Sequence, residues 1–335
     1  MSKTDPTQFL YSSARVRAME RGLVGRDKLE RLIEARSYGD ALSLLGEFGL
    51  ETPQDASPAA LERVLSAYLN TAYTEIASAA PDFDALRLFR YPYDNNNVKS
   101  ALKCAIRGLD PAECMMSGGT VPPETLIADL SRDKTDCLPP HMAAAVSVAR
   151  ETYARTKNPQ QIDFIMDRAC FADMKEAAIG SGVAFLVTLV ETKIDLVNLM
   201  MLIRILRMNL KTTGGALLSD ALLPGGTIAE KTFSLWYRDG AAKLSSQLAL
   251  TPYVALGEAL LADEAAPLYR LERICDDIYT EKVADARYVA FGPEILVGYL
   301  AGAEMSVKNM RMILAGKAAG QSPGVIRERV RASYV

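Results

Sequence analysis

Three copies of one pattern occur in the same order along this 335-residue sequence. Its first element is a glycine followed two residues later by Val or Ile and seven residues later by Leu or Phe. Its second element is an apolar residue followed by an acidic one, and its third is an asparagine with apolar residues one, four and five positions later. The copies are Gly22–Leu29, Leu61–Val64 and Asn97, then Gly119–Leu126, Ile162–Ile165 and Asn198, then Gly226–Phe233, Leu271–Ile274 and Asn309. The glycine precedes the asparagine by 75, 79 and 83 residues, so the spacing is nearly constant.

The repeats predict the fold class and the domain organisation. Apolar residues recur at three- and four-residue steps, and Ala, Leu, Glu, Arg and Met are frequent, which is typical of helices. Alternating strand patterns are absent, and clusters of Pro and Gly divide the chain into segments of helix length. We therefore expect an all-α protein made of three similar helical repeats, with boundaries near residues 1–116, 117–223 and 224–335.

The repeated asparagine has two interpretations. As a helix N-cap it would accept a hydrogen bond from a free amide of the first turn, and Asn97 closes the capping-rich run 94–97. As a buried residue it would tie neighbouring helices together through backbone hydrogen bonds. Asn198 lies inside a long helical run, which favours burial for that copy, whereas Asn97 fits a surface cap.

Charge and hydropathy argue against several classes of protein. The chain carries 38 Lys and Arg against 41 Asp and Glu, a net charge of −3. It therefore lacks the basic excess of a nucleic-acid-binding protein and the Lys/Arg cluster that anionic lipid attracts. The longest charge-free apolar run, Ala177–Val190, is too short to cross a bilayer. The first residues lack the charged and apolar regions of a signal peptide, so we expect a soluble intracellular protein.

The cysteines and the single histidine indicate no reactive centre. The odd number and the scattered spacing of the cysteines favour reduced, buried thiols over a disulfide framework or a zinc site. These residues are Cys104, Cys114, Cys137, Cys170 and Cys275. His141 follows two prolines, which favours a position in a loop or at a helix start.

No motif of the sequence predicts catalytic, cofactor-binding or metal-binding residues. The nearest match to a phosphate-binding loop, at Gly316-Lys317, lacks the hydroxyl residue and the upstream glycine, and no nucleophile elbow occurs. The acidic cluster Asp276, Asp277 and Glu281 has a spacing that could hold Mg²⁺ against a diphosphate, as in helical prenyl-transfer enzymes. The enzyme interpretation needs a second acidic or basic cluster, which the sequence does not offer. A solvated helix face explains the same residues without one. We therefore expect no enzymatic activity and no cofactor.

Five segments are informative because of the order in which they occur along the chain. They are Tyr11–Glu20 (YSSARVRAME), Ser37–Leu45 (SYGDALSLL), Phe89–Lys99 (FRYPYDNNNVK), Ile194–Leu199 (IDLVNL) and Glu304–Arg311 (EMSVKNMR). In this order they resemble the C subunit of bacterial and archaeal V/A-type ATPases, whose eukaryotic vacuolar counterpart is the d subunit. The resemblance covers nearly the whole chain.

This resemblance implies three similar helical domains that form a funnel around a pseudo-threefold axis. It also implies a non-catalytic subunit of the central stalk, peripheral on the cytoplasmic face of the membrane. There the subunit joins the rotor shaft of the D and F subunits to the membrane ring of proteolipid subunits. The sequence departs from the family's pattern at the triple asparagine 95–97 and at Ser306, where the other copies have Asp94 and Asp195. We expect these departures to affect only local helix capping.

Three functional hypotheses follow from the sequence. The first is a rotor component that transmits torque between ATP chemistry and H⁺ or Na⁺ transport. A helical scaffold of another assembly is the alternative. The third is a lyase or prenyl-transfer enzyme that uses the acidic cluster.

Overall fold

The computed structural model describes residues 5–53, 55–80, 83–210 and 212–335. Within these ranges the regular secondary structure is entirely helical, which confirms the all-α prediction. The α-helices are α1 (Leu10–Met19), α2 (Arg26–Glu34), α3 (Tyr38–Glu47), α4 (Pro58–Ala79), α5 (Tyr91–Arg107), α6 (Pro123–Ser131), α7 (Pro140–Thr156), α8 (Gln160–Gly180), α9 (Ala184–Met208), α10 (Gly214–Ala221), α11 (Glu230–Asp239), α12 (Ala241–Leu248), α13 (Val254–Ala262), α14 (Leu268–Ala284), α15 (Pro293–Ala318) and α16 (Pro323–Arg329). Short 3₁₀ helices cover Pro6–Phe9, Glu20–Gly22, Asp84–Arg90, Pro111–Cys114 and Asp285–Tyr288.

Local sequence signals explain where these helices begin and end. The Ser57 side chain accepts a hydrogen bond from the Ala60 amide at the start of α4, and Pro58 takes the first helical position. Gly108 ends α5 in the left-handed conformation, with a φ of 66° that a glycine adopts at little cost. Asn209 ends α9 in the same conformation. Small, polar and proline residues therefore mark helix ends, as the sequence predicts.

The longest apolar run of the sequence is not a single helix. α8 ends at Gly180, Gly182 takes a positive φ of 69°, and α9 begins at Ala184, so a tight turn divides the run. Across the described ranges, no helix combines the length and the apolar character that crossing a lipid bilayer requires.

Two compact units make up the chain, and residues 85–243 form one of them. In this unit α7 and α8 pack together as a helical hairpin, and α8 also contacts α5 and α9. α9 in turn packs against α10 and α11. The fully buried side chains of this unit include Leu126, Met142, Ile162, Met166, Leu186 and Leu202.

Leu244–Val335 and the described residues up to Asp84 form the other unit. Its central element is α15, in which 18 of 26 residues are buried. α15 packs against α1, α2, α3, α4, α14 and α16. A helix that is apolar on nearly every side is a core helix, whereas an amphipathic helix has one polar face in water. Segments from both ends of the sequence therefore build a single core around α15.

Candidate functional site: three buried joints

Each of the three repeated asparagines clamps the backbone of one other residue. The side-chain amide donates to the carbonyl oxygen of that residue, and the side-chain oxygen accepts from the N–H of the same residue. The clamped residues and the two distances are Met116 for Asn97 (2.8 and 2.7 Å), Leu223 for Asn198 (2.8 and 2.8 Å) and Arg331 for Asn309 (3.1 and 2.9 Å). An asparagine thus pairs with a backbone residue as a second peptide unit would in a β-sheet.

Burial decides between the two interpretations of these asparagines. Asn97 and Asn309 are 0% exposed and Asn198 is 1% exposed. α5 begins at Tyr91, so Asn97 lies in the second turn and is not an N-cap. The expectation of a surface cap at Asn97 was therefore wrong: its run of polar neighbours looks like a cap, but the helix starts earlier and turns this side chain inward.

In the first two copies, an aspartate one turn before the asparagine makes further hydrogen bonds to the backbone. Asp94 accepts hydrogen bonds from the Thr120 amide (2.9 Å), the Thr120 hydroxyl (2.6 Å) and the Val121 amide (3.1 Å). Asp195 repeats this pattern with Thr227 and Ile228, whose amides lie 3.0 and 3.1 Å from its oxygens. The Thr227 hydroxyl donates to the same carboxylate. Each Asp therefore holds the two free amides that open the next repeat.

We call these contacts the joints. Joint 1 joins α5 to residues 116–121, and joint 2 joins α9 to residues 223–228. Joint 3 joins α15 to Val24 and Arg331. Joints 1 and 2 belong to the unit of residues 85–243, and joint 3 belongs to the other unit.

The same contacts explain two of the three repeated glycines. A Cβ on Gly119 would overlap a carboxylate oxygen of Asp94, and a Cβ on Gly226 would overlap one of Asp195. Only glycine leaves room for the carboxylate to reach the two amides behind it. Gly22, the first copy, has open space where its Cβ would be.

Joint 3 differs because a serine replaces the aspartate. Ser306 is buried, and its hydroxyl lies within hydrogen-bonding distance of the Val24 carbonyl oxygen (3.1 Å) and of the Gly302 carbonyl oxygen in its own helix (2.9 Å). A carboxylate can only accept, so it would repel these carbonyl oxygens, whereas a hydroxyl can donate to them. The departure at Ser306 therefore changes a contact with Val24, which lies far away in the sequence, and not merely local capping.

The segment 331–335, which begins at the clamped Arg331, makes further contacts around joint 3. The Ala332 amide donates to Asp277 (2.6 Å), and the Tyr334 hydroxyl donates to Glu20 (2.8 Å). The Tyr334 side chain is 2% exposed and lies against Gly298 and Gly302 of α15. The Val335 carbonyl oxygen accepts from the Arg26 amide at the start of α2 (3.2 Å). This segment thereby ties α14 and α15 to Glu20 and to the start of α2.

The acidic cluster of α14 takes part in this anchoring. Asp276 accepts from Lys308 (2.6 Å) and from the Arg331 guanidinium (2.9 Å), and Asp277 holds the Ala332 amide. The expectation of a solvated helix face is wrong for Asp276 and Asp277, because both are partly buried against partners. Glu281 is exposed. The other look-alike motif, Gly316-Lys317, lies within α15.

Burial has an electrostatic effect on the carboxylates that hold backbone amides. It raises the pKa of Asp94 above its usual value, although the hydrogen bonds from Thr120 and Val121 act in the opposite direction. Burial raises the pKa of Asp173 and Asp277 in the same way. A raised carboxyl pKa means that the folded state binds the proton more tightly than the unfolded chain. Each such group therefore favours folding at low pH, and that contribution is lost as the pH rises through the raised pKa.

In the first two copies, the acidic residue of the second repeated element forms an ion pair with an Asn-bearing helix. Asp163 of α8 pairs with Lys103 of α5 (2.5 Å), and Glu62 of α4 pairs with Arg311 of α15 (2.6 Å). The basic partners lie six residues after one repeated asparagine and two residues after another. Their spacing from the asparagine varies, so the sequence pattern does not reveal them.

The histidine and the thiols lie outside the joints, with one exception. His141 is the second residue of α7, which confirms the helix-start interpretation, and Asp173 accepts from its amide (2.9 Å). Cys104, Cys170 and Cys275 are buried as predicted, but Cys114 is exposed and Cys137 is half-buried. Cys104 is the exception, because it belongs to α5, the helix of joint 1.

Comparisons with known proteins find similar sequences over nearly the whole chain. The sequence model of a family described as ATP synthase (C/AC39) subunit matches residues 12–329. The C subunit of the V-type sodium ATPase of Enterococcus hirae is 24% identical, over 95% of this chain and 97% of that protein. The C subunit of the A-type ATP synthase of Methanocaldococcus jannaschii is 25% identical over 96% and 86%. The protein of the same name from Thermococcus onnurineus is 22% identical over 97% and 90%.

Proposed function

The chain belongs to the ATP synthase (C/AC39) subunit family, and on this basis we propose that it is a non-catalytic central-stalk subunit of a V/A-type rotary ATPase. In this role it is a socket that links the rotor shaft of the D and F subunits to the proteolipid ring of the membrane. It thereby couples ATP hydrolysis or synthesis to H⁺ or Na⁺ transport. It has no catalytic, cofactor-binding or metal-binding residues of its own.

The observation that carries the proposal is the recurrence of a buried asparagine clamp in all three copies of the sequence pattern. A rotor part must pass torque without bending, so its segments must be held by contacts that water does not loosen. Hydrogen bonds between a buried side chain and the backbone meet this need, since breaking one leaves an unpaired polar group in the core. Close packing around the joints adds resistance to deformation.

The arrangement of the repeats is part of the proposal. Joint 1 fixes the α5 helix of residues 1–116 to the start of residues 117–223, and joint 2 fixes α9 to the start of residues 224–335. Joint 3 returns from α15 to Val24 in the first repeat. This cyclic order supports a pseudo-threefold, funnel-like body with those three repeats.

The location follows from the partners. We propose that the chain is peripheral on the cytoplasmic face of the membrane and that the ring, not lipid, holds it there. The described helices contain none that could span the bilayer, and the net charge of −3 gives little attraction to anionic lipid.

A sedimentation experiment tests this function. The purified chain is mixed with the D/F shaft complex, with liposomes that carry the proteolipid ring, and with plain anionic liposomes. We expect it to bind the shaft, to sediment with the ring-bearing liposomes and to remain in solution with the plain ones. Failure to bind both shaft and ring would favour the alternative, a helical scaffold of another assembly. Strong binding to plain liposomes would also contradict the proposal.

A reconstituted complex tests the coupling role. Omission of the chain is expected to abolish ATP-driven ion transport while ATP hydrolysis by the catalytic head continues, and adding the chain back is expected to restore transport. The chain alone is expected to hydrolyse no ATP. Full ion transport without the chain would show that it is not part of the torque path.

A further inference from the structure

Four large apolar and aromatic side chains are exposed on two segments of the unit that is built around α15. Leu10 and Tyr11 open α1, Tyr288 ends the 3₁₀ helix that follows α14, and Phe291 lies three residues further on. Their exposed fractions are 54%, 73%, 85% and 38% in that order. An exposed apolar patch is a mark of an interaction site when its residues lie together.

Hydrogen bonds hold these two segments side by side. The Gly292 amide donates to the Ser13 hydroxyl (3.0 Å), and the Arg17 guanidinium donates to the Ala286 carbonyl oxygen (2.8 Å). Ser13 and Arg17 are one turn apart on α1. The segment 286–292 therefore runs along this edge of α1, in the opposite direction to the helix. The two exposed aromatic residues that follow α14 belong to this segment, so they lie next to α1.

The outward face of α1 is small and apolar. Tyr11, Ala14 and Ala18 are exposed, and their spacing of three and four residues places them in one row along the helix. Ser12 and Val16 are buried on the other side. Two alanines in a row allow a partner helix to approach α1 closely, with the Tyr11 ring at the end of the row. We call this face of α1, together with the exposed residues of segment 286–292, the α1 surface.

Arginines give the α1 surface a positive charge. Between residues 10 and 22 there are three arginines and one glutamate. Arg17 pairs with Glu20 (2.9 Å), whereas no ion pair joins Arg15 or Arg21 to another residue of the described ranges. Tyr and Arg are the side chains that most often dominate the binding energy of protein interfaces. The complementary partner is a helix with an apolar face and acidic residues.

The α1 surface occurs once, although the sequence pattern occurs three times. α1 precedes the first repeated glycine, Gly22, whereas the 3₁₀ helix Pro111–Cys114 precedes Gly119 and α10 precedes Gly226. Neither of these two helices contains a tyrosine or an arginine. A ring of identical subunits offers the same contact many times around its circumference. A surface that occurs once therefore suits a single shaft better than a ring.

We propose that the α1 surface binds the rotor shaft through a shaft helix that has an apolar face and acidic residues. This inference rests on the proposed function, because it needs a shaft. The apolar face of the shaft helix packs on the alanine row of α1 and against Tyr11 and Tyr288. Its acidic residues pair with Arg15 and Arg21, which steers association and fixes the orientation of the helix.

Shaft binding by surface variants of the full chain tests this inference. The dissociation constant for the purified D/F complex is measured by biolayer interferometry. We expect Tyr11→Ala and Tyr288→Ala each to raise it about tenfold or more, as the loss of a central aromatic residue does. Tyr269→Ala is the matched control, because this exposed tyrosine lies at the other end of α14, about 20 Å from the helix end that precedes Tyr288. It should bind the shaft as the wild type does.

Charge reversal tests the chemistry of the partner. Arg15→Glu combined with Arg21→Glu should weaken shaft binding, and the loss should be largest at low ionic strength, where charges are least screened. Tighter binding by this double variant would show that the partner is basic and would overturn the proposal. Circular dichroism of each variant is expected to match that of the wild type, since the changed side chains lie outside the core.

The remaining outcomes separate this inference from the proposed function. If the wild type binds the shaft and both tyrosine variants bind it equally well, the α1 surface is not the shaft site and the proposed function stands. If the tyrosine variants keep the shaft but no longer sediment with ring-bearing liposomes, the surface belongs to the ring and the proposal is overturned. If the wild type binds no shaft, the proposed function fails and this inference fails with it.

Discussion

An asparagine side chain carries the same kinds of donor and acceptor as a peptide unit, so it can satisfy both hydrogen-bonding groups of one backbone residue. This explains why a single polar residue recurs on an otherwise apolar helical stripe. The clamped residues lie in irregular segments, whose N–H and C=O groups have no helical partner. A buried backbone group without a partner is costly, and the asparagine removes this cost twice with one side chain.

Replacing the clamp by an apolar residue of similar size should therefore destabilise the fold. We expect Asn198→Leu to lower the free energy of unfolding by about 1–3 kcal/mol, because the Leu223 N–H and C=O lose their partners. Asn97→Leu should cost a similar amount, since Asn97 is equally buried. Asn96→Leu is the matched control, because Asn96 is half-buried and donates only to the Met116 sulfur. Urea denaturation measures all three, and a loss at Asn97 no larger than at Asn96 would refute the clamp.

The glycine copies provide a second comparison between equivalent positions. Gly119→Ala and Gly226→Ala would each push a methyl group into the carboxylate that holds the next amides. We expect a loss of about 1–3 kcal/mol in the free energy of unfolding, as for overpacking in a core. Gly22→Ala should change stability by less than about 0.5 kcal/mol, because its Cβ would point into open space. Equal effects at all three glycines would mean that the carboxylate contact does not explain the repeat.

At the scale of the helix, the sequence predicts where helices lie better than it predicts which residues they contact. The positions of Pro and Gly predict helix ends, and the repeated asparagine marks three helices that each make the same backbone clamp. It did not predict the burial of Asn97, because a run of four potential capping residues hides the true start of α5 at Tyr91. Nor did it predict the partners of the asparagines, which lie 19 to 25 residues away beyond turns whose course depends on tertiary packing.

The pairing of α4 with α15 illustrates contacts that sequence patterns leave out. The Tyr73 hydroxyl donates to Glu304 (2.5 Å), and the Arg311 guanidinium donates to Glu62 on the same pair of helices (2.6 Å). Positions with higher numbers on α4 meet positions with lower numbers on α15, so the helices run antiparallel. These pairs join residues more than 200 positions apart, and neither helix alone contains a signal for the other.

At the scale of the whole molecule, joint 3 differs from the other two in sequence separation. Joints 1 and 2 connect residues separated by 19 to 33 positions, whereas Ser306 and Val24 are separated by 282 positions. A contact with so large a separation gains nothing from local chain connectivity, so its full loop-closure entropy must be offset by the contacts themselves. The segment 331–335 supplies many of those contacts within its own unit.

Tyr334→Ala should therefore weaken one unit selectively. Removing a 2%-exposed aromatic ring from against Gly298 and Gly302 is expected to lower the free energy of unfolding of that unit by about 3–5 kcal/mol. Hydrogen exchange should become faster in α2, α14 and α15, which contact the segment or its anchors, while α7 and α8 keep their protection. Ser333→Ala, which removes only a hydrogen bond within the segment, should leave every helix as protected as in the wild type. Faster exchange in α7 and α8 to the same degree would show that the two units unfold as one, and unchanged exchange in α15 would show that the segment does not hold joint 3.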